Sequence, residues 1–239
     1  MIGLGTIINT GAILVGGVFG KLFGRFLKER HQDTLVRTCG ISTIFISIAG
    51  AMEKMLEIHD GGLVSGQALL LVLCLTLGAL IGEIINIEGL FERFGEWLKV
   101  KSGNSGDKGF VNAFVTTSFT VCIGAMAIVG AIQDGIFGDY TILATKSILD
   151  FVIVLVLTGS MGSGCAFSAI PVFVLQGGMT LLSRVIQPIM TEAALANLSL
   201  VGATLIFCVG TNLAFKSKIR VANLLPALVL AVVAAFLPI

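Results

Sequence analysis

Charged residues are scarce in this chain: 14 Asp and Glu and 15 Lys and Arg among 239 residues, or 12%. A soluble domain carries about twice that share. The two signs nearly cancel, leaving a formal net charge of +1, so no general attraction to nucleic acid is expected. Histidine is almost absent. His31 and His59 lie in different loops without metal-ligand spacing, and no metal site or cofactor is expected. The five cysteines (Cys39, Cys74, Cys122, Cys165, Cys208) fall one per segment with no CxxC pair, which reads as small packing residues in a reduced protein. Neither HExxH nor GxSxG occurs, and no Ser/His pair shares a depth. An enzyme is therefore not expected. Four prolines leave long runs unbroken.

What remains is apolar: 56% of residues, with a mean hydropathy of +1.02. Stretches long enough to cross about 30 Å of hydrocarbon lie near 2–21, 40–57, 67–87, 110–132, 142–160, 166–183, 194–214 and 222–238. Twelve of the fifteen basic residues fall in three windows between them: 21–37 (Lys21, Arg25, Lys28, Arg30, Arg37), 93–108 (Arg93, Lys99, Lys101, Lys108) and 216–220 (Lys216, Lys218, Arg220). Basic residues flanking spans stay cytoplasmic. Eight spans with both termini outside place all three windows inside. The first run has no basic stretch before it and positive charge after it, unlike a cleaved signal peptide. The chain thus reads as all-α, a polytopic transmembrane helix bundle forming one domain over 1–239 in lipid. Region 141–190 must start and end outside, so it crosses twice, the preferred reading, or forms a re-entrant hairpin.

Two stretches read as amphipathic helices on the inner face. In 90–101, Leu90, Phe91, Phe94, Trp97 and Leu98 oppose Glu92, Arg93, Glu96 and Lys99. In 22–37, Leu22, Phe23, Phe26 and Leu27 oppose Arg25, Lys28 and Arg30. The stretch Phe23-Gly24-Arg25-Phe26-Leu27-Lys28 matches Phe94-Gly95-Glu96-Trp97-Leu98-Lys99, and Gly50-Ala51-Met52 matches Gly124-Ala125-Met126. These matches suggest a parallel repeat with units at about 1–58 and 67–133, followed by 141–239. Repeated units around a shared interface are a common transporter plan.

Polar groups at membrane depth carry the functional signal. Asp150 lies near the centre of the fifth run, with Lys146 one helical turn earlier. A buried carboxylate in hydrocarbon costs about 3 kcal/mol on insertion scales and needs a partner or a cavity. The pair reads either as a self-neutralising structural link or as a protonatable or cation-binding site. Asn9, Thr120 and Gln176 reach similar depth in other runs, which suggests a mid-membrane cluster. Ser160, Ser163 and Ser168 surround a glycine-rich break near Pro171, where a helix start favours an anion. Gln133 and Asp134 sit at the outer mouth, either in a plain solvated turn or at an entrance for cations. Gly16, Gly20 and Gly24, and also Gly78 and Gly82, recur every four residues. Such strips permit close helix packing within one chain or in a homo-oligomer.

Gly5-Thr6-Ile7-Ile8-Asn9, the run Cys122–Gly130 leading into Gln133-Asp134-Gly135, Lys146–Asp150 and Lys218–Pro226 together resemble the bacterial inner-membrane family of unknown function that includes YqgA and YdfK. The resemblance implies a polytopic membrane protein, marks Asn9, Gln133, Asp134, Asp150 and Asn223 as candidates, and brings no substrate. The leading functional reading is transport of a small solute or ion through the polar site around Asp150, coupled to protons or sodium. The alternatives are a passive channel and a non-transporting scaffold. A cavity approaching Asp150 from one side favours the transporter, and a pore open to both sides favours the channel.

Overall fold

The computed structural model describes residues 2–24, 26, 28–59, 62–122 and 125–236. Helices α1 (Leu4–Gly24) and α2 (Glu29–Met55) are followed by a small hairpin, β1 (Leu56–His59) and β2 (Gly62–Ser65), paired antiparallel with Leu56 opposite Ser65. Then come α3 (Ala68–Ile85), α4 (Ile87–Lys101), α5 (Phe110–Cys122), α6 (Ala125–Phe137) and α7 (Thr141–Met161). A 3-10 turn, Ser163–Ser168, leads into α8 (Ala169–Leu181) and a single-turn α9 (Ser183–Ile186). The chain closes with α10 (Glu192–Phe215), a second 3-10 turn (Val221–Leu224) and α11 (Pro226–Ala234).

Glycine decides how closely the helices approach. A β-carbon at Gly16 would stand 2.8 Å from the Phe151 carbonyl oxygen, and one at Gly24 would stand 2.7 Å from that of Gly159. Gly5 lies against Leu143 and Gly20 against Leu155. Residue numbers rise together along this seam, so α1 and α7 run parallel. Gly78 and Gly82 of α3 meet Ala227 and Asn223, and Gly40 and Gly50 of α2 meet Ala214 and Ala203. The pairs α3–α11 and α2–α10 are therefore antiparallel. Both predicted glycine strips are occupied by neighbours within the chain, and the large apolar side chains around them point outward: Val18, Phe19, Leu77 and Leu80 are all exposed. Exposed apolar faces over buried small residues suit a helix bundle solvated by lipid.

The three basic windows gather at one end of the bundle. Lys216 pairs with Asp33 at 2.9 Å and Arg220 with Glu83 at 3.0 Å, while Ser163 meets Asn104 at 3.4 Å. The other end joins the start of α1 to the end of α6 through Asp134. Phe110, at the start of α5, packs on Gly164 at the basic end. The pair α5–α6 therefore covers the length of the bundle once, with axes that diverge by 61°. Both α7 and α8 run the length of α1: Gly17 lies against Ala166, and Thr6 meets Thr180 at 3.4 Å. A shallow hairpin would not reach that far.

Six helical runs among the described residues are long and apolar enough to cross a membrane, or seven if α5–α6 counts as one span. The eighth expected segment is the shorter apolar run Val221–Ala234. The single helix expected over 22–37 does not form. Leu22–Gly24 end α1, Phe26 lies in a turn, and 29–37 open α2, where Asp33 bonds Arg37 one helical turn on. The contact of Gly24 with Gly159 keeps the end of α1 in the bundle. Arg25 and Leu27 lie outside the described residues, as does Gly124 of the second repeat match. The second unit does hold a separate helix, α4, at the corresponding position.

Candidate functional site

Four helices converge on Asp150. Both Lys146 and Asp150 are buried, with 7% and 3% of their surfaces exposed. The Lys146 ammonium donates to Oδ1 of Asp150 at 2.7 Å and to Oδ2 at 2.5 Å. One helical turn separates the residues, so α7 alone sets the pair's geometry. The same ammonium also donates to the Val121 carbonyl at 2.8 Å. Val121 lies in the last described turn of α5, so the ammonium links α7 to a second helix.

Asn9 of α1 and Gln176 of α8 complete the cluster, both fully buried. Asn9 Nδ2 donates to Gln176 Oε1 at 3.2 Å, and the Asn9 amide lies beside the Asp150 carboxylate. Two buried polar atoms here have no hydrogen-bond partner: Asn9 Oδ1 and Gln176 Nε2. Such atoms cost free energy unless water or a ligand satisfies them. Around the pair, Ile13, Val121, Val154 and Val172 form an apolar jacket that lowers the local dielectric and strengthens every charge interaction inside it.

The other expected site residues lie elsewhere or bond elsewhere. Thr120 is beside Val121, but its hydroxyl donates to the Thr116 carbonyl of its own helix at 2.8 Å. Ser160 is ten residues from Asp150 on α7, about 15 Å along the axis. Its hydroxyl and that of Ser168 are buried without partners, whereas Ser163 reaches Asn104. These serines belong to the basic end and not to the Asp150 cluster. Gln133 is half-buried. Asp134, expected in a solvated turn or at a mouth, is instead fully buried and accepts from the amides of Gly3 at 3.2 Å and Gly5 at 2.9 Å. It caps the first turn of α1 from another helix. Asn223 is also structural: its Oδ1 accepts from the Glu88 amide at 2.8 Å and closes the start of α4.

A cavity of about 1250 Å³ opens at the basic end between α4, α5, α10 and the 216–221 segment. Glu88, Glu92, Arg93, Lys108, Lys218 and Arg220 contribute to its walls, and Thr116 and Phe119 mark its reach along α5. Phe119 packs on Phe91 with ring centroids 4.8 Å apart. Behind this ring pair lies a smaller cavity of about 110 Å³, lined by Phe119, Cys122 and Pro171 among others. The large cavity thus stops two residues short of Val121, the carbonyl that holds Lys146.

Sequence reasoning missed the divergence of α5 from α6 and the Val121 carbonyl that meets Lys146. A signal was available in the length: two 13-residue helices occupy a stretch where about 20 residues suffice to cross. It also missed the cavity, whose walls come from segments distant in sequence.

Apolar helices of spanning length around a buried ion pair define a polytopic membrane protein. The chain belongs to the family described as "Protein of unknown function (DUF554)", whose model matches residues 4–236. It is 29% identical over 232 residues to the "Uncharacterized membrane protein YdfK" of Bacillus subtilis (strain 168), covering 97% of this chain and 95% of that protein. It is 30% identical over 236 residues to the "Uncharacterized protein YqgA" of Escherichia coli (strain K12), covering 95% and 94%. No solved structure matches the chain.

Proposed function

We propose that this protein is a bacterial inner-membrane transporter of a small solute or ion, with Asp150 as the residue that couples transport to proton or cation movement. The observation that carries this reading is a buried ion pair tied to α5, whose axis diverges by 61° from that of α6. Transporters commonly place their sites near mid-membrane at discontinuous helices, where half-helix ends meet charge. A scaffold gains little from such a pair, because apolar residues of equal volume pack there at no electrostatic cost. The cavity at the basic end supports alternating access over an open pore: it approaches the site from one end and stops at Phe119. The reading is non-enzymatic. With the basic windows facing the cytoplasm, the cavity faces inward and both termini lie outside.

Purified protein in liposomes enclosing a pH-sensitive dye, challenged in turn with sodium, potassium and panels of small metabolites, tests the function. The wild type should move protons or charge in response to at least one challenge, and Lys146→Met/Asp150→Asn, which strands no buried charge, should be folded and silent. Equal flux from both proteins would remove Asp150 from the mechanism. Sidedness is read separately in a cysteine-free background. Cysteines at Ser105 and Ser217 should react only from the cytoplasmic side and one at Asp139 only from outside; labelling of Ser105 from outside would reverse the topology.

A further inference from the structure

Lys146 is bound as a cation in a site is bound, and not merely as half of a helical salt bridge. Three oxygens surround its nitrogen at 2.5–2.8 Å: two from the Asp150 carboxylate and one from the Val121 main chain on a different helix. The Val121 carbonyl lies in the last described turn of α5 and accepts from the ammonium across the helix pair. The Asn9 amide lies beside the same carboxylate, and its Oδ1, in a fully buried side chain, has no partner. A carboxylate, a main-chain carbonyl and an amide oxygen make an oxygen donor set of the kind that binds small cations.

We propose that the Lys146 ammonium is the tethered occupant of a monovalent-cation site formed by the Asp150 carboxylate, the Val121 carbonyl and the Asn9 amide oxygen, and that a free sodium ion takes its place when Lys146 withdraws. The proposal rests on the transport reading and supplies its coupling ion. The exchange conserves charge at the site, since one positive charge leaves the carboxylate as another arrives. Lys146 has somewhere to go. It is five residues from Thr141, the first residue of α7, about 7.5 Å along the axis, so its flexible stem can carry the ammonium to that end of the helix. The incoming ion takes over the Val121 carbonyl, so the link between α5 and α7 passes from a tethered cation to a free one.

Thermal unfolding of purified wild type, Lys146→Met and Lys146→Met/Asp150→Asn, in sodium chloride against choline chloride at equal ionic strength, tests this. Lys146→Met leaves the carboxylate without its built-in cation. Its Tm should rise saturably in sodium, by about 5 °C, with half-saturation at least tenfold below that of the wild type. The double variant, which has no carboxylate, should show no difference between the salts. A folded Lys146→Met that melts at one temperature in both salts would overturn the proposal, as would a sodium effect surviving in the double variant. Should Lys146→Met not purify, hydrogen exchange on the wild type decides. Exchange of the 117–122 amides should differ at least threefold between sodium and choline, and identical exchange overturns the site. Transport without any sodium effect sinks the cation site alone, whereas sodium stabilisation without flux sinks the transport reading alone.

Discussion

Asp134 and Asp150 are buried almost equally, at 0% and 3% exposure, yet they are neutralised in opposite ways. Asp134 sits near the end of α6 and faces two amides at the start of α1. Its counter-charge is a set of fixed dipoles that cannot leave without unwinding a helix. Asp150 faces a whole charge on a flexible side chain, and that charge is shared with the α5 carbonyl. Rotations about side-chain bonds suffice to remove it. One carboxylate is a clasp between elements and the other, as we propose, is a site whose occupant exchanges, although burial alone does not tell them apart.

The sharpest way to break this comparison is to strand the lysine. Asp150→Leu leaves Lys146 buried without its counter-charge and should cost about 3–5 kcal/mol, read as a large fall in Tm or loss of monodisperse protein. Lys146→Met/Asp150→Leu should restore stability to within about 1 kcal/mol of wild type, because no charge is left to bury. A double variant as unstable as the single one would mean that the pair does not act as a closed unit.

Removing the clasp should have a smaller effect of a different kind. Asp134→Ala should cost about 1–2 kcal/mol, the worth of a helix cap, and speed hydrogen exchange at residues 3–7 while leaving any flux in liposomes unchanged. A loss of flux with normal stability would move Asp134 into the mechanism and erase the distinction drawn above. The smallest effect comes from a carboxylate with neither clasp nor lysine. Glu88 lies on α4, outside the spanning helices, and burial raises its pKa while a backbone hydrogen bond from Ala222 pulls the other way. A raised value in the folded state means that the native form holds the proton more tightly than the unfolded one. Its contribution to stability is therefore full below the ordinary glutamate range and lost as pH rises through the raised value. Glu88→Gln should flatten the slope of Tm against pH in that window; an unchanged slope would assign it to other groups.

The positions of the helices were legible because hydrocarbon imposes a length and a composition on any segment that crosses it. The expected run 67–87 became Ala68–Ile85 and 142–160 became Thr141–Met161. The Lys146–Asp150 bond was legible for a similar reason, since a four-residue spacing on a helix sets a contact without help from the rest of the fold. The helix expected over 22–37 was not, because local periodicity competes there with the Gly24–Gly159 contact, made with a residue 135 positions away. Asp134 was misplaced for the same reason. A polar residue beside two glycines reads as a solvated turn, and the α1 amides that bury it belong to the other end of the sequence.

Composition and helical spacing were enough to place the long apolar helices and to put a carboxylate and a lysine on one face of α7. The tertiary structure alone decided that the Val121 carbonyl would bind that lysine, that Asn9 and Gln176 would meet it, that Asp134 would cap α1, and that a cavity would end at Phe119. Backbone carbonyls and cavities are the same for many sequences. They acquire chemistry only when packing sets a charge from one helix against the backbone of another.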